Sequence, residues 1–243
     1  MLLREGVFRP PQPGDQPDPL VEDWKRGHGA YATNGAVLGV IRRSAPKRPE
    51  PDLFIFGLVG YFKGYYPRYS EDVARRKNYF TWAILKAHTQ NSAGRVLLRS
   101  GDPRDTPLIN FHYFDEGIDK SGEDLESVVE GVEHVRALNA SMSDYITREI
   151  VPGPAVRTRE QLREFIKNEA WGHHASCSNK MGRADDPMAV VDNRFRVYGT
   201  KNLRVVDASV FPRIPGFFIV TSVYMIAEKA GDVILADAKR VSA

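Results

Sequence analysis

Residues 190–212 read "VVDNRFRVYGTKNLRVVDASVFP". Two short apolar segments flank "YGTKN" (198–202), whose Gly and Asn favour a turn, so the pattern predicts strand, turn, strand. The next stretch, "FPRIPGFF" (211–218), carries two prolines that interrupt any regular element. Beyond it Val223, Ile226, Ala227, Ala230, Val233 and Ile234 recur at helical spacing and predict a terminal helix. Immediately upstream lies "WGHHASCSNKMG" (171–182), with two adjacent histidines and the chain's one cysteine, Cys177.

Three chemistries are open to that histidine stretch. "HHASC" holds three potential metal ligands, but adjacent histidines point in different directions on most backbones. No further Cys or dense His/Asp/Glu group lies nearby, so no metal is assigned. Cys177 could be a nucleophile, although a single cysteine more often packs as a small apolar residue. The remaining readings are a structural histidine in a turn and a general base, since imidazole exchanges protons near neutral pH. Residue chemistry by itself does not choose between them.

The rest of the chain sets the frame. Its 243 residues suffice for one large domain or two modest ones. Lys plus Arg number 34 against 31 Asp plus Glu, too small an excess to indicate nucleic acid or a membrane surface. One cysteine excludes an internal disulfide and fits a reducing, cytoplasmic setting. The apolar run at the N-terminus is too short for a signal peptide. The longest apolar runs, 53–62 and 216–227, fall short of the roughly 18–20 residues that span a bilayer.

The first 20 residues, rich in Pro, Gly and Asp, read as an irregular lead-in. "AVLGVIRRS" (36–44) and "PDLFIFGLV" (51–59) predict strands, and 60–79 reads as an aromatic, basic surface loop. "FTWAILKAH" (80–88) and "GRVLLRS" (94–100) flank "TQNSA" and predict a hairpin. "PLINFHYF" (107–114) adds a strand, and this set favours an antiparallel sheet. Ser121, with Asp124 three residues on, is a candidate helix cap. Leu125, Val128, Val129, Val132, Val135 and Leu138 then give one apolar face, and the acidic residues between them read as solvated. Thr158 with Gln161 opens a second helix, whose apolar face is Leu162, Phe165 and Ile166.

The order "HASCSNKMG" (174–182), "VVDNRFRVYGTKNLRVVDASVFP" (190–212) and "MIAEKAGDVIL" (225–235) resembles the C-terminal signature of the glucose–methanol–choline (GMC) flavin oxidoreductases. That signature runs H-P-x-G-T-x-x-M-G, then V-D-x-x-x-R-V-x-G-x-x-x-L-R-V-x-D-A-S-x-x-P, then A-E-K-x-A-D-x-I. Upstream, "GHGAYATNGA" (27–36) and "GRVLLRSGDPRDTPLINFHYF" (94–114) look like the same family's substrate domain.

The resemblance implies an α+β fold. Residues 1–170 would form a substrate-binding domain, an antiparallel sheet flanked by helices. Residues 171–243 would supply the C-terminal strand and helix of an FAD-binding domain, with strand 203–207 and the last helix packing on it. It implies FAD as cofactor and an alcohol as substrate. His174 matches the catalytic histidine, which assists removal of the hydroxyl proton as hydride passes to flavin N5. Asp207 and Ala208 match the segment at the flavin phosphate and ribityl chain. Gly216, Phe217, Phe218 and Ile219 match the loop beside the pyrimidine end of the ring.

Two departures stand out. The family places a second His or Asn in the 213–228 loop, where this chain has neither, and Phe218 falls at that place. "GHGAYA" (27–32) has Ala at the third glycine of G-x-G-x-x-G and follows a proline-rich stretch, so it is no dinucleotide fingerprint. The chain therefore reads as the C-terminal portion of a family member, truncated or one half of a split enzyme that needs an N-terminal FAD-binding segment or subunit. A non-enzymatic substrate-binding module and a lyase on the same scaffold are the competing expectations.

Overall fold

In the computed structural model, residues 1–3 and 19–241 are described, and most of the predicted irregular lead-in lies outside them. The chain divides into two compact units, Met1–Ala170 and Trp171–Ala243.

The first unit is α+β, and all of its strand pairs are antiparallel. Its centre is a three-stranded sheet in the order β2 (Ala36–Arg42), β3 (Leu53–Leu58), β4 (Thr81–Lys86). The register brings Val40 opposite Ile55 and Ile55 opposite Ile84. Alternation along β3 is strict: Leu53 and Ile55 are fully buried while Phe54 and Phe56 are only partly so. The buried pair packs with Val135 of helix α3 (Glu123–Ala140). A Cβ at Gly131 would stand 2.8 Å from Ile84 Cγ2, so the missing side chain lets α3 approach the sheet. On another face of α3, Leu125, Val129 and Val132 meet Leu162 and Ile166 of α4 (Arg159–Glu169).

Several local expectations change. The predicted hairpin of 80–88 with 94–100 does not form: β4 pairs with β3, while β5 (Arg95–Leu97) pairs with β6 (Leu108–Asn110) in a separate ribbon. The turn-forming "TQNSA" therefore ends one sheet and begins another. Among the described residues there are three small sheets in place of one, the third joining β1 (Leu2–Leu3) to β7 (Ile146–Arg148). The lead-in is regular where it is described, in β1 and in α1 (Pro19–Lys25), and the 60–79 loop contains α2 (Tyr69–Arg75).

Ser121 does not cap α3. The cap position is Gly122, in the left-handed region at φ 67°, and the Asp119 carboxylate accepts from the Glu123 and Asp124 amides. The capping box of α4 forms as read, with Thr158 and Gln161 bonding each other's backbone. The acidic side of α3 is not merely solvated, because Glu126 and Glu130 hold Arg159 at 2.8 and 3.0 Å.

A buried charged group joins sheet to helix. The Asp52 carboxylate accepts from the Ser44 amide and hydroxyl, both at 2.7 Å. Lys86 Nζ lies 3.5 Å from Asp52 and 3.6 Å from Asp124. Asp124 in turn accepts the Gln90 and Asn91 amides. Burial alone would raise the Asp52 pKa, but the Ser44 hydrogen bonds and the Lys86 and Arg48 charges outweigh it and lower it.

In the second unit, Val191, Phe195, Val210 and Ala230 form the core. Helix α5 (Val220–Val241) forms as predicted. The expected strands of 190–212, including 203–207, do not. The segment carries only isolated bridges, Val191 with Val197 and with Met181, and Arg196 with Arg204. The cause is local: Phe195 (φ 65°), Gly199 (φ 72°) and Asn202 (φ 59°) are left-handed, and each turn stops a ladder after one bridge. Asp237 ties α5 to this segment through Arg194 and through Arg204 at 2.6 Å. Val220, Tyr224, Met225 and Leu235 leave apolar area of α5 exposed. Among the described residues no helix is long and apolar enough to cross a membrane.

Removing one member of a buried ion pair strands the other. Asp52→Ala is expected to lower the unfolding free energy by about 3 kcal/mol, measured by urea denaturation, with Asp52→Asn milder because it keeps an acceptor for Ser44. Since the folded pKa is lowered, Asp52's contribution is present above the unfolded carboxylate value of about 3.9 and disappears as pH falls through the folded value. Wild-type and Asp52→Asn stabilities should therefore converge in acid.

Candidate active site

Residues 171–181 run without regular secondary structure until they meet the turn at 208–210. There the Cys177, Asn179 and Met181 amides donate to the Ala208, Ser209 and Val210 carbonyls at 3.2, 2.9 and 2.9 Å. Asn179 Nδ2 adds a 2.9 Å bond to Ser209 Oγ. Cys177 is a free, half-buried thiol, and its backbone is left-handed at φ 69°. That conformation turns the chain between the histidines and the paired segment.

His174 is half-buried. Its ring makes an edge contact with Phe218, centroids 6.1 Å apart at 65°, and it hydrogen-bonds the Phe217 backbone. His173 lies edge-on to His174 at 4.6 Å and stacks on Trp171 at 5.3 Å and 24°. Burial pushes the His174 pKa below the ordinary histidine range. The His173 charge adds to this, and the Phe217 bond opposes it. A lowered histidine is neutral at physiological pH and has a lone pair with which to take a proton.

The other residues singled out by sequence converge on the same part of this unit. Asp207 precedes the turn 208–210 and caps it, its Oδ1 accepting the Ser209 amide at 2.8 Å and the Ser209 hydroxyl. Ala208 receives Cys177. Gly216 has φ 119°, a region that L side chains rarely adopt, and the space where its Cβ would stand is empty. Phe217, Phe218 and Ile219 lead directly into Val220, the first residue of α5. What the sequence did not disclose is the Trp171–His173 stack and the backbone bond at Phe217. The aromatic residues within three positions of His174 were the available signal for the first.

A flavin brings phosphates, a polyol chain and a ring that becomes anionic on reduction. The donor set suits the ring end. The first amides of α5 have no partners within the helix, and its positive end favours negative charge. The open backbone at Gly216 lets a planar group approach. Toward a phosphate the Asp207 carboxylate would carry the wrong sign, and it is committed to the turn, so only the 207–208 backbone could serve there. A separate concavity of about 610 Å³, lined by Gly182, Asp185, Asp192, Asn193 and Tyr198 among others, contains none of these residues. Among the described residues no group of three or more His, Cys, Asp and Glu could hold a metal.

Comparison with known proteins gives a consistent picture. Residues 90–227 match the C-terminal GMC oxidoreductase family model. An oxygen-dependent choline dehydrogenase of Stenotrophomonas maltophilia is 42% identical over 144 residues, 59% of this chain and 25% of that protein. A glucose methanol choline oxidoreductase of Aspergillus terreus is 36% identical over 160 residues, 65% of this chain and 25% of that one. The chain thus spans about a quarter of the length of these relatives. Among solved structures, a formate oxidase superposes with TM-score 0.65 at 24% identity, over 93% of this chain and 36% of the other. Pyridoxine 4-oxidase from Mesorbium loti gives 0.64 at 20% identity, over 94% and 39%. At that identity these two likenesses speak to the fold.

Asp207→Ala removes the side-chain acceptor of the 208–210 turn and is expected to cost about 1 kcal/mol in chemical denaturation. Asp207→Asn, which keeps an acceptor, should lose far less.

Proposed function

This chain belongs to the GMC oxidoreductase family, and we propose that it supplies the histidine-bearing part of an FAD-dependent oxidoreductase acting on the CH–OH group of an alcohol. The observation that carries the reading is the convergence of His174, the 207–208 backbone and the 216–219 loop within one compact unit, through the Phe217–His174 and Cys177–Ala208 hydrogen bonds.

When bound, FAD would supply the two-electron chemistry of alcohol oxidation. The chain's own residues have three tasks. Neutral His174 takes the hydroxyl proton, and the Phe217 carbonyl fixes the direction of its ring. Phe217, Phe218 and Ile219 keep water from the reacting carbon. The 216–219 backbone and the start of α5 favour the negative charge that accumulates on reduction, and the 207–208 backbone would hold the phosphate and ribityl end.

No G-x-G-x-x-G cradle occurs in the 243 residues. The pyrophosphate must therefore be held by polypeptide outside them, in the same protein or in a partner subunit, and the α5 residues Tyr224, Met225 and Leu235 offer it apolar area.

The purified 243-residue chain is expected to retain little flavin, read from visible absorbance. A stoichiometric flavin band would favour a self-sufficient site. Once a segment bearing the dinucleotide cradle is supplied, His174→Ala should slow flavin reduction by an alcohol by roughly 10²–10⁴-fold. An unchanged rate would remove His174 from the reaction and leave a non-enzymatic module as the better reading. Because the His174 pKa is lowered, the reduction rate should be level at and above neutral pH and fall only on the acid side, as the ring protonates.

A further inference from the structure

His174 needs a neighbour that controls its ring and its proton. The 213–228 loop provides no such group by side chain. From Pro215 to Val223 it has no ionisable residue, and what it sets against His174 is the Phe217 backbone and the Phe218 ring. A phenyl ring neither donates nor accepts a conventional hydrogen bond.

On the other side of the sequence lies a second imidazole. The His173 centroid is 4.6 Å from that of His174, with planes at 77°, closer than Phe218. His173 and Trp171 are both exposed, and their rings stack at 5.3 Å and 24°. Stacking on a large ring favours one plane for the imidazole, and in that plane His173 lies edge-on to His174. Of the titratable side chains, His173 is the one whose charge acts on His174. The Cys177 thiol is the other ionisable group of the 171–179 stretch, and its sulfur lies near Ser176 Oγ, at 3.5 Å.

We infer that His173 is the positioning residue of this site: clamped on Trp171, it holds the His174 ring edge-on and governs whether that ring is free to take a proton. Two imidazoles this close disfavour a second positive charge, so a charged His173 discourages protonation of His174. The pair does with adjacent residues on one segment what the loop cannot do with phenyl rings. The functional consequence rests on His174 being the base proposed above, whereas the coupling between the two rings does not.

Side-chain NMR of the full 243-residue chain tests it. His173→Phe keeps an aromatic ring on Trp171 and removes the imidazole. The His174 titration midpoint should then move to higher pH. An unmoved His174 midpoint overturns the inference. If His173→Phe loses the dispersed amide spectrum of the folded chain, His173→Asn is read in the same way. In the flavin-loaded assembly the acid limb of the reduction profile should move to higher pH in step with that midpoint, with the plateau rate lowered less than tenfold. A limb that stays in place also overturns it. His174→Ala leaving flavin reduction unchanged would instead sink the functional reading alone, since the NMR shift would still record the pair.

Discussion

Three backbone hydrogen bonds, from the Cys177, Asn179 and Met181 amides to the Ala208, Ser209 and Val210 carbonyls, hold the candidate site in place. Each contributes only about 1 kcal/mol net, but leaving such groups unpaired in a buried setting costs more. Their weight comes from what they join. The 171–181 segment has no helix or strand of its own, so its direction is fixed by this pairing and by the bridge of Met181 to Val191. Val210 is buried in the core with Val191, Phe195 and Ala230, which transmits the rigidity of α5 to the turn. The histidines therefore hang from a short irregular segment whose far end is anchored in apolar packing.

The first unit solves a different problem, how to bring a long helix close to a sheet while keeping charged groups inside. Gly131 provides the approach, and the Asp52, Lys86, Asp124 set provides charge balance. Asp124 faces both ways: its helix position puts it among buried residues, and its carboxylate receives the Gln90 and Asn91 amides just after β4 ends. The chain can thus leave the sheet at residue 86 without stranding buried amides.

Where the sequence was legible, one period or one cap dominated. The valines of α3, the Thr158–Gln161 box and the alternation of β3 each predict their element without help from elsewhere. Pairing was not legible, because "TQNSA" looks like a hairpin turn whether or not the flanking strands meet. Nor was the loss of regular strands in 190–212, since a left-handed phenylalanine at 195 leaves no mark in composition. The cap of α3 was misplaced because Asp119 acts from four residues before the helix begins, outside the spacing of a capping box. At the site, each residue of the motif lies in the second unit, where His174 meets Phe217 and Phe218 and Ala208 accepts the Cys177 amide. The Asp207 side chain, however, is spent on its own turn, a commitment that a motif does not state.

Position 218 shows what a departure from a motif can and cannot mean physically. A polar partner across from a base does two things: it orients the ring, and it shares the proton. Here the Phe217 carbonyl, a backbone group available whatever side chain follows, bonds the ring, and the His173 ring lies edge-on to it. Burial of His174 and the charge of His173 lower its tendency to protonate, against the Phe217 bond, which favours the protonated ring. The cost falls on strength, because a base of lower pKa pulls less on the hydroxyl proton in the transition state.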